Sequence, residues 1–252
     1  MIPCRLRPAR VLLLAGLCVG LLVPGLAADG RAGRGERARA EQILQRLDRA
    51  QAVIRTLRAR IVERRELAVL ENAEVLRGTL YFARPGRVRW EYDDPERRIY
   101  VLDDGQLVGL IPGRRRAERL DVSRRQDRIE RMLALGQPAE DLRREFRIEA
   151  GDHDEALDAD ELRLVPRSRR VRRRVRELRL WVDRSTGLLD RIRFVTGSGD
   201  VVTLDIDRLE INPELPADLF RLEIPEGFEI ADGLSTLGPG AGAAREGAGT
   251  RR

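Results

Sequence analysis

The chain of 252 residues reads as an α+β protein, mostly antiparallel β, built on one bent sheet with helices over its concave side. Three observations predict this. A single strong helical period stands near the start, between Glu41 and Arg58. A long succession of two-residue alternations follows, divided by turn signals. One short helical interruption, Val122 to Arg144, breaks the strands in the middle.

The first helix carries Ile43, Leu44, Leu47, Ala50, Ile54 and Leu57 at spacings that place them on one face. The strands alternate instead. Val88, Trp90 and Tyr92 point one way, while Arg87, Arg89 and Glu91 point the other. Leu162 and Leu164 repeat the pattern, as do Leu178, Leu180 and Val182, then Ile192 and Phe194, then Leu204 and Ile206. "DDPE", "DDGQ", "IPGR", "RSTG" and "TGSGD" separate them. In the interruption Ile129, Met132 and Leu133 have helical spacing, Gly136 and Pro138 break it, and Leu142 resumes it. An antiparallel meander with one apolar face must cover that face, and these helices are the only covers the sequence offers. A strongly bent sheet or incomplete barrel, closed on its concave side by helices, is therefore expected.

The two ends differ from this middle. Arg5, Arg7 and Arg10 precede an apolar run from Val11 to Val23 and then "PGLAAD", the three parts of a secretory signal cut near Ala27 or Ala28. The apolar run is short for a bilayer span. From Ala231 onward the chain is rich in glycine and alanine without an apolar period. The expected organisation is a signal peptide over 1–28, one domain over 29–230 and a disordered tail over 231–252. An exported, periplasmic protein follows from that reading.

Composition narrows the function. Cys4 and Cys18 both lie in the signal, which leaves no disulfide and no thiol nucleophile. All 48 basic residues are arginine, and three of the formal charge of +6 belong to the signal, so no nucleic-acid partner is required. No nucleophile elbow, paired-histidine motif or phosphate-cradling glycine loop occurs. The only histidine, His153, lies in "GDHDEALDADE", which has Leu157 where a calcium loop wants glycine; it reads as a solvated acidic loop. No catalytic residue, cofactor or metal is expected, and the protein is not read as an enzyme.

Two features remain to be explained. Five of the ten aromatic residues, Tyr81, Phe82, Trp90, Tyr92 and Tyr100, cluster around "RPGRVRWEYDDPERR". The second is "RSRRVRRRVRE", a hairpin tip with Arg169, Arg170, Arg172, Arg173 and Arg174. It is either a solvated loop or a docking tip for anionic headgroups or an acidic partner.

Arg84–Pro85 followed by "VRWEYDDP" and "DDG", then "LRLVPR", "LRLWVDRSTGLLDRIRF" and "VVTLDIDRLEINPELPADLFRLEIPEGFEI", resemble the periplasmic lipoprotein carrier (LolA) family from about Glu41 to Ile230. The resemblance implies a half-closed barrel of about eleven strands, with a helical lid enclosing a hydrophobic cavity. It implies a carrier that shields the acyl chains of lipoproteins and moves them from the inner to the outer membrane, and a monomer is expected. An inner-membrane lipoprotein-releasing transporter and an outer-membrane acceptor would be its partners. By the same resemblance Arg84 is the lid latch. Val88, Trp90, Tyr92, Leu178, Leu180, Ile192 and Phe194 form the cavity wall, and Ile129, Met132 and Leu133 belong to the lid helices. The chain departs from the family at "RARIVERRE", where an aromatic followed by glutamine is usual, and at "QLVGLIP", where an aromatic-rich strand is usual. Two alternatives stay open: a related lipid-binding or lipoprotein-sensing envelope protein, and a structural envelope protein with a filled core.

Overall fold

The computed structural model describes residues 29–68, 72–123 and 139–233. The expected signal peptide, the lid residues Ile129, Met132 and Leu133, and residues 234–252 of the tail lie outside them. Helix α1 (Asp29–Ala52) precedes a first meander of six strands, β1 (Thr56–Glu66), β2 (Glu74–Ala83), β3 (Arg87–Asp94), β4 (Arg98–Asp103), β5 (Gln106–Ile111) and β6 (Arg116–Asp121). After α2 (Ala139–Glu145) come β7 (Phe146–Asp154) and β8 (Ala159–Pro166), the single turn α3 (Arg169–Arg172), then β9 (Val175–Asp183), β10 (Leu189–Thr196), β11 (Val201–Ile211) and β12 (Glu229–Asp232).

Among the described residues, twelve strands form one open sheet in the order β12-β6-β5-β4-β3-β2-β1-β11-β10-β9-β8-β7. Two meanders meet where β1 pairs antiparallel with β11, with Ile61 opposite Ile206. Only β12 runs parallel to its neighbour, β6. The result is an incomplete, mostly antiparallel barrel with twelve strands where about eleven were expected. The additional edge strand carries the sheet to Asp232, past residue 231 where the tail was expected to begin. A register shift at Arg77/Gly78 lets β2 and β3 approach closely. A Cβ on Gly78 would stand 1.9 Å from the Glu91 carbonyl oxygen, so only glycine fits there.

On the helix-bearing face, Ala40, Ile43, Leu44 and Leu47 of α1 pack with Leu142 of α2 against Leu162, Leu164, Leu180, Val182 and Ile192 of the second meander. Beside them Leu57, Ile61, Leu76, Leu80, Val88, Tyr92, Tyr100 and Leu102 make the core of the first meander. The first helix differs from expectation: it begins earlier, at Asp29, and ends at Ala52. Ile54 and Leu57 continue the apolar spacing past its end because the chain turns while staying on the same core. Leu57 then alternates with Ala59 and Ile61 along β1, where all three are buried.

The expectation of one apolar face is also corrected. In β4 the consecutive residues Ile99, Tyr100, Val101 and Leu102 are all buried, which requires cover on both sides of the strand. Tyr100 and Leu102 face α1's side, whereas Ile99 and Val101 join Ala83, Leu110 and Ala117 on the other. The segment from Leu215 to Phe228 covers that second face, with Phe220 buried at its centre beneath the Arg87 guanidinium, 5.0 Å from the ring. Phe220→Ala should therefore destabilise the fold by about 3–4 kcal/mol. Urea unfolding is expected to show a lower midpoint; an unchanged midpoint would mean that the segment only rests on the sheet.

Candidate functional site

The last carbonyls of an α-helix have no partner inside the helix. At the end of α1 they are met from two sides. Arg84, in the turn between β2 and β3, donates Nε to the Ile54 carbonyl at 2.7 Å and Nη2 to the Gln51 carbonyl at 3.2 Å. Asn212, just after β11, donates Nδ2 to the Val53 carbonyl at 3.1 Å, and its Oδ1 accepts the Arg55 amide at 2.7 Å. The turn that presents Arg84 contains a cis Arg84–Pro85 peptide and Gly86 at φ 61°. A left-handed residue at that place favours glycine. The guanidinium's fixed fork can hold two carbonyls of one chain turn at once, which a lysine could not reproduce.

Directly under this clamp lies a small apolar pocket at the seam of the two meanders. Ile54, Leu57, Phe82, Leu188, Ile206 and Leu209 line it, and Gln51 and Arg84 stand at its margin. Its volume of about 20 Å³ holds little more than one water. An acyl chain does not fit while α1 is clamped down.

The seven residues expected as cavity wall lie on this helix-bearing face, but none lines the pocket itself. Val88 and Tyr92 are buried in the first cluster with Trp90 packed against it. Leu180 and Ile192 are buried in the second, with Leu178 beside them. Phe194 is half-buried opposite Leu178 and Val202. The pocket's own lining was missed because Leu188 sits in a turn, "STGLLD", and Phe82 belongs to a strand with no clean alternation.

Other polar groups hold α1 along its length. Asp160 accepts Arg39 at 3.2 Å and Arg46 at 2.5 Å, Glu41 pairs with Arg143, and the Asp48 carboxylate accepts the Ala139 amide at 3.2 Å. Burial alone would raise the Asp160 pKa, but the two arginines outweigh it and hold the carboxyl below its usual range. Asp160 is thus a buried anchor at the start of β8, in a segment whose sequence reads as a solvated loop.

The departure "RARIVERRE" also acquires a place. Glu63 and Arg65 point to the same side as Leu57, Ala59 and Ile61, and the Tyr92 hydroxyl donates to Glu63. Arg65 donates Nε to Glu63 at 2.6 Å and lies 3.5 Å from Glu74. Burial, then the Glu63 charge, push Tyr92 ionisation well above its ordinary value. The apolar wall therefore ends in a buried polar cluster.

At the other end of the sheet from Arg84, the arginine run forms the tip between β8 and β9, as a helical turn capped by the Ser168 hydroxyl, which accepts the Val171 amide at 3.2 Å. Arg169, Arg170, Arg172, Arg173 and Arg174 are all exposed. Nearby, between α1 and β7, a second cleft of about 170 Å³ has Leu44, Phe146 and Ile148 as its floor and Arg37, Arg143 and Arg167 among its walls.

An open half-barrel with one helix clamped over an apolar seam defines the class of protein. Residues 54–223 match the family described as outer membrane lipoprotein carrier protein LolA, and the chain belongs to that family. An outer-membrane lipoprotein carrier protein from Chromohalobacter salexigens is 26% identical over 163 residues, covering 64% of this chain and 71% of that one. One from Nitrosomonas europaea is 27% identical over 166 residues, covering 64% and 76%. Among solved structures, a LolA superfamily protein from Nitrosomonas europaea aligns with a TM-score of 0.37 at 15% identity, over 72% of this chain and 96% of that one. The family is one of carriers rather than enzymes.

One carboxyl next in sequence to the pocket lining is shifted. Asp190 follows the lining residue Leu189, and burial, then the nearby Asp183, raise its pKa to about 6. A carboxyl raised in the folded state is free of penalty below its unfolded pKa of about 3.9 and costs stability as pH rises through the folded value. Asp190 is only half-buried, so solvent screening should hold that cost to less than about 1 kcal/mol. Asp190→Asn should raise stability at neutral pH and flatten its dependence between about pH 4 and 6. Unfolding curves across that range check it, and a variant less stable at neutral pH would refute the assignment.

Proposed function

We propose that the protein carries lipoproteins through the periplasm, from the inner to the outer membrane, by taking their acyl chains between α1 and the apolar face of the sheet. Export through a cleaved signal over 1–28 and a working domain over 29–230 belong to the same reading. So do a releasing transporter in the inner membrane and an acceptor in the outer one. The observation that carries it is the pairing of Arg84 with the Gln51 and Ile54 carbonyls directly above an apolar seam. Hydrogen bonds from side chains of the sheet, Arg84 and Asn212, can be broken and remade, which suits a helix end that has to lift.

The mechanism is a competition. Each methylene withdrawn from water is worth ~0.8 kcal/mol, so a fully enclosed set of chains would be bound almost irreversibly. Two charge-assisted hydrogen bonds from a water-exposed arginine contribute about 1.5 kcal/mol, or one decade in the lid equilibrium. Cargo breaks the latch on entry, and re-formation of the latch favours release. Val88, Trp90, Tyr92, Leu178, Leu180, Ile192 and Phe194 would supply the wall once α1 lifts, with Ile129, Met132 and Leu133 on the lid. A second reading is favoured by one observation, the pocket of only about 20 Å³: a structural envelope protein whose face is a filled core.

Loading separates the two. The protein should retain an acylated lipoprotein and not its unlipidated form, whereas a filled core retains neither. Arg84→Leu should fold normally, load at least as readily, and transfer cargo to acceptor membranes about tenfold more slowly. Transfer at the wild-type rate would exclude the latch.

A further inference from the structure

The second meander is electrically polar along its strands. At one end, from Arg167 to Arg176, stand seven arginines, and no acidic residue occurs between Glu161 and Glu177. Glu177 itself is taken by Arg163 and Arg179, with Arg193 at 3.9 Å. The neighbouring turn between β10 and β11 offers one carboxylate, Asp200, which accepts the Ala68 amide and the Ser198 hydroxyl. At the opposite end stand Asp154, the last residue of β7, and Glu155 and Asp158 in the turn to β8. Strand β8, eight residues long, separates the two ends by ~26 Å. That is about three screening lengths at physiological salt, so the acidic end leaves the basic end unneutralised.

The basic tip is also held in shape. Ser168 caps α3, Arg172 donates to the Pro166 carbonyl at 3.2 Å, and Arg176 donates to the Gly197 carbonyl at 2.6 Å. Val171 packs into the core of the second meander, so the tip is anchored from beneath while its guanidiniums stay exposed. Arg37 and Arg143 at the cleft beside β7 extend the same basic surface, with Arg167 common to both, although Glu41 already pairs with Arg143.

We propose that this end of the barrel is a docking surface for anionic phospholipid bilayers, with Arg169, Arg170, Arg172, Arg173 and Arg174 lying among the headgroups. A flat anionic surface suits the array because the five side chains are exposed and the segment that bears them holds charges of one sign only. The guanidiniums also cannot lose their charge at any physiological pH. Docking by this end leaves Arg84 and the pocket, at the other end of the strands, facing away from the membrane. It is independent of whether the protein carries cargo.

Flotation with phosphatidylcholine vesicles, with and without phosphatidylglycerol, tests it on the full mature chain. The protein should bind only the anionic vesicles, and binding should weaken as salt rises. Each arginine near an anionic surface is worth roughly fivefold. Replacing the five tip arginines with Gln should therefore weaken binding by at least about thirtyfold, allowing for screening. Replacing only Arg169, Arg170 and Arg173, whose side chains make no bond described above, should give a smaller loss in the same direction. A control in which the exposed Arg60, Arg97, Arg119, Arg208 and Arg221 become Gln removes the same charge elsewhere and should keep binding. Equal losses in the tip and control variants would reduce the effect to net charge and overturn the proposal. Unaltered vesicle binding by the tip variants would also overturn it, as would failure to bind anionic vesicles beside salt-sensitive capture of an acidic protein. A chain that binds vesicles but takes up no lipoprotein would uphold docking and refute the carrier.

Discussion

The guanidinium of Arg84 completes the end of α1, and the arrangement above the seam depends on it. Helix ends left without partners are costly; the carbonyl of Gln51 in the last turn of α1 accepts the Ile54 amide as well as Arg84, and those of Val53 and Ile54 lie just beyond the helix. All three carbonyls also receive side chains from two remote places in the sequence, Arg84 after β2 and Asn212 after β11. The closure of the helix over the sheet and the pairing of the two meanders are thereby joined at one junction. An intrahelical cap would have fixed the helix end without reference to the sheet. This one holds only while the helix lies down.

The other restraints on α1 are of a different kind. Asp160 with Arg39 and Arg46, and Glu41 with Arg143, fasten the helix farther from its end. Its apolar stripe of Ala40, Ile43, Leu44 and Leu47 is buried in the second meander's core. The stripe makes lifting the whole helix expensive, whereas freeing its last turns breaks mainly the Arg84 and Asn212 bonds. Movement that starts at that end opens the seam lined by Ile54, Leu57 and Phe82 before the rest of the helix lifts from the wall.

Much of this was legible in the sequence where period and punctuation agree. Val88, Trp90 and Tyr92 share a face because strand alternation is unambiguous there, and the turns at Arg84–Pro85–Gly86 and Asp104–Gly105 announce themselves. The end of α1 was not legible, since Ile54 and Leu57 preserve helical spacing across a boundary set by tertiary hydrogen bonds. The second buried face was written in "IYVL", four apolar residues in a row, but its cover lies more than a hundred residues later in a segment without regular structure. Asn212 and Asp160 carry no local signal at all. Their importance arises from partners brought close only by the fold.

On the proposed mechanism the end of α1 leaves the sheet when cargo enters. A chain lacking Cys4 and Cys18 contains no other cysteine, so spin labels can be placed at will. With labels at the exposed positions Arg49, on α1, and Ser185, in the turn beside the seam, electron–electron resonance reports their separation directly. One short distance is expected in the empty protein and a longer one when an acylated peptide is bound, with the empty Arg84→Leu variant already populating the longer one. A single unchanged distance with acylated peptide demonstrably bound would contradict that mechanism.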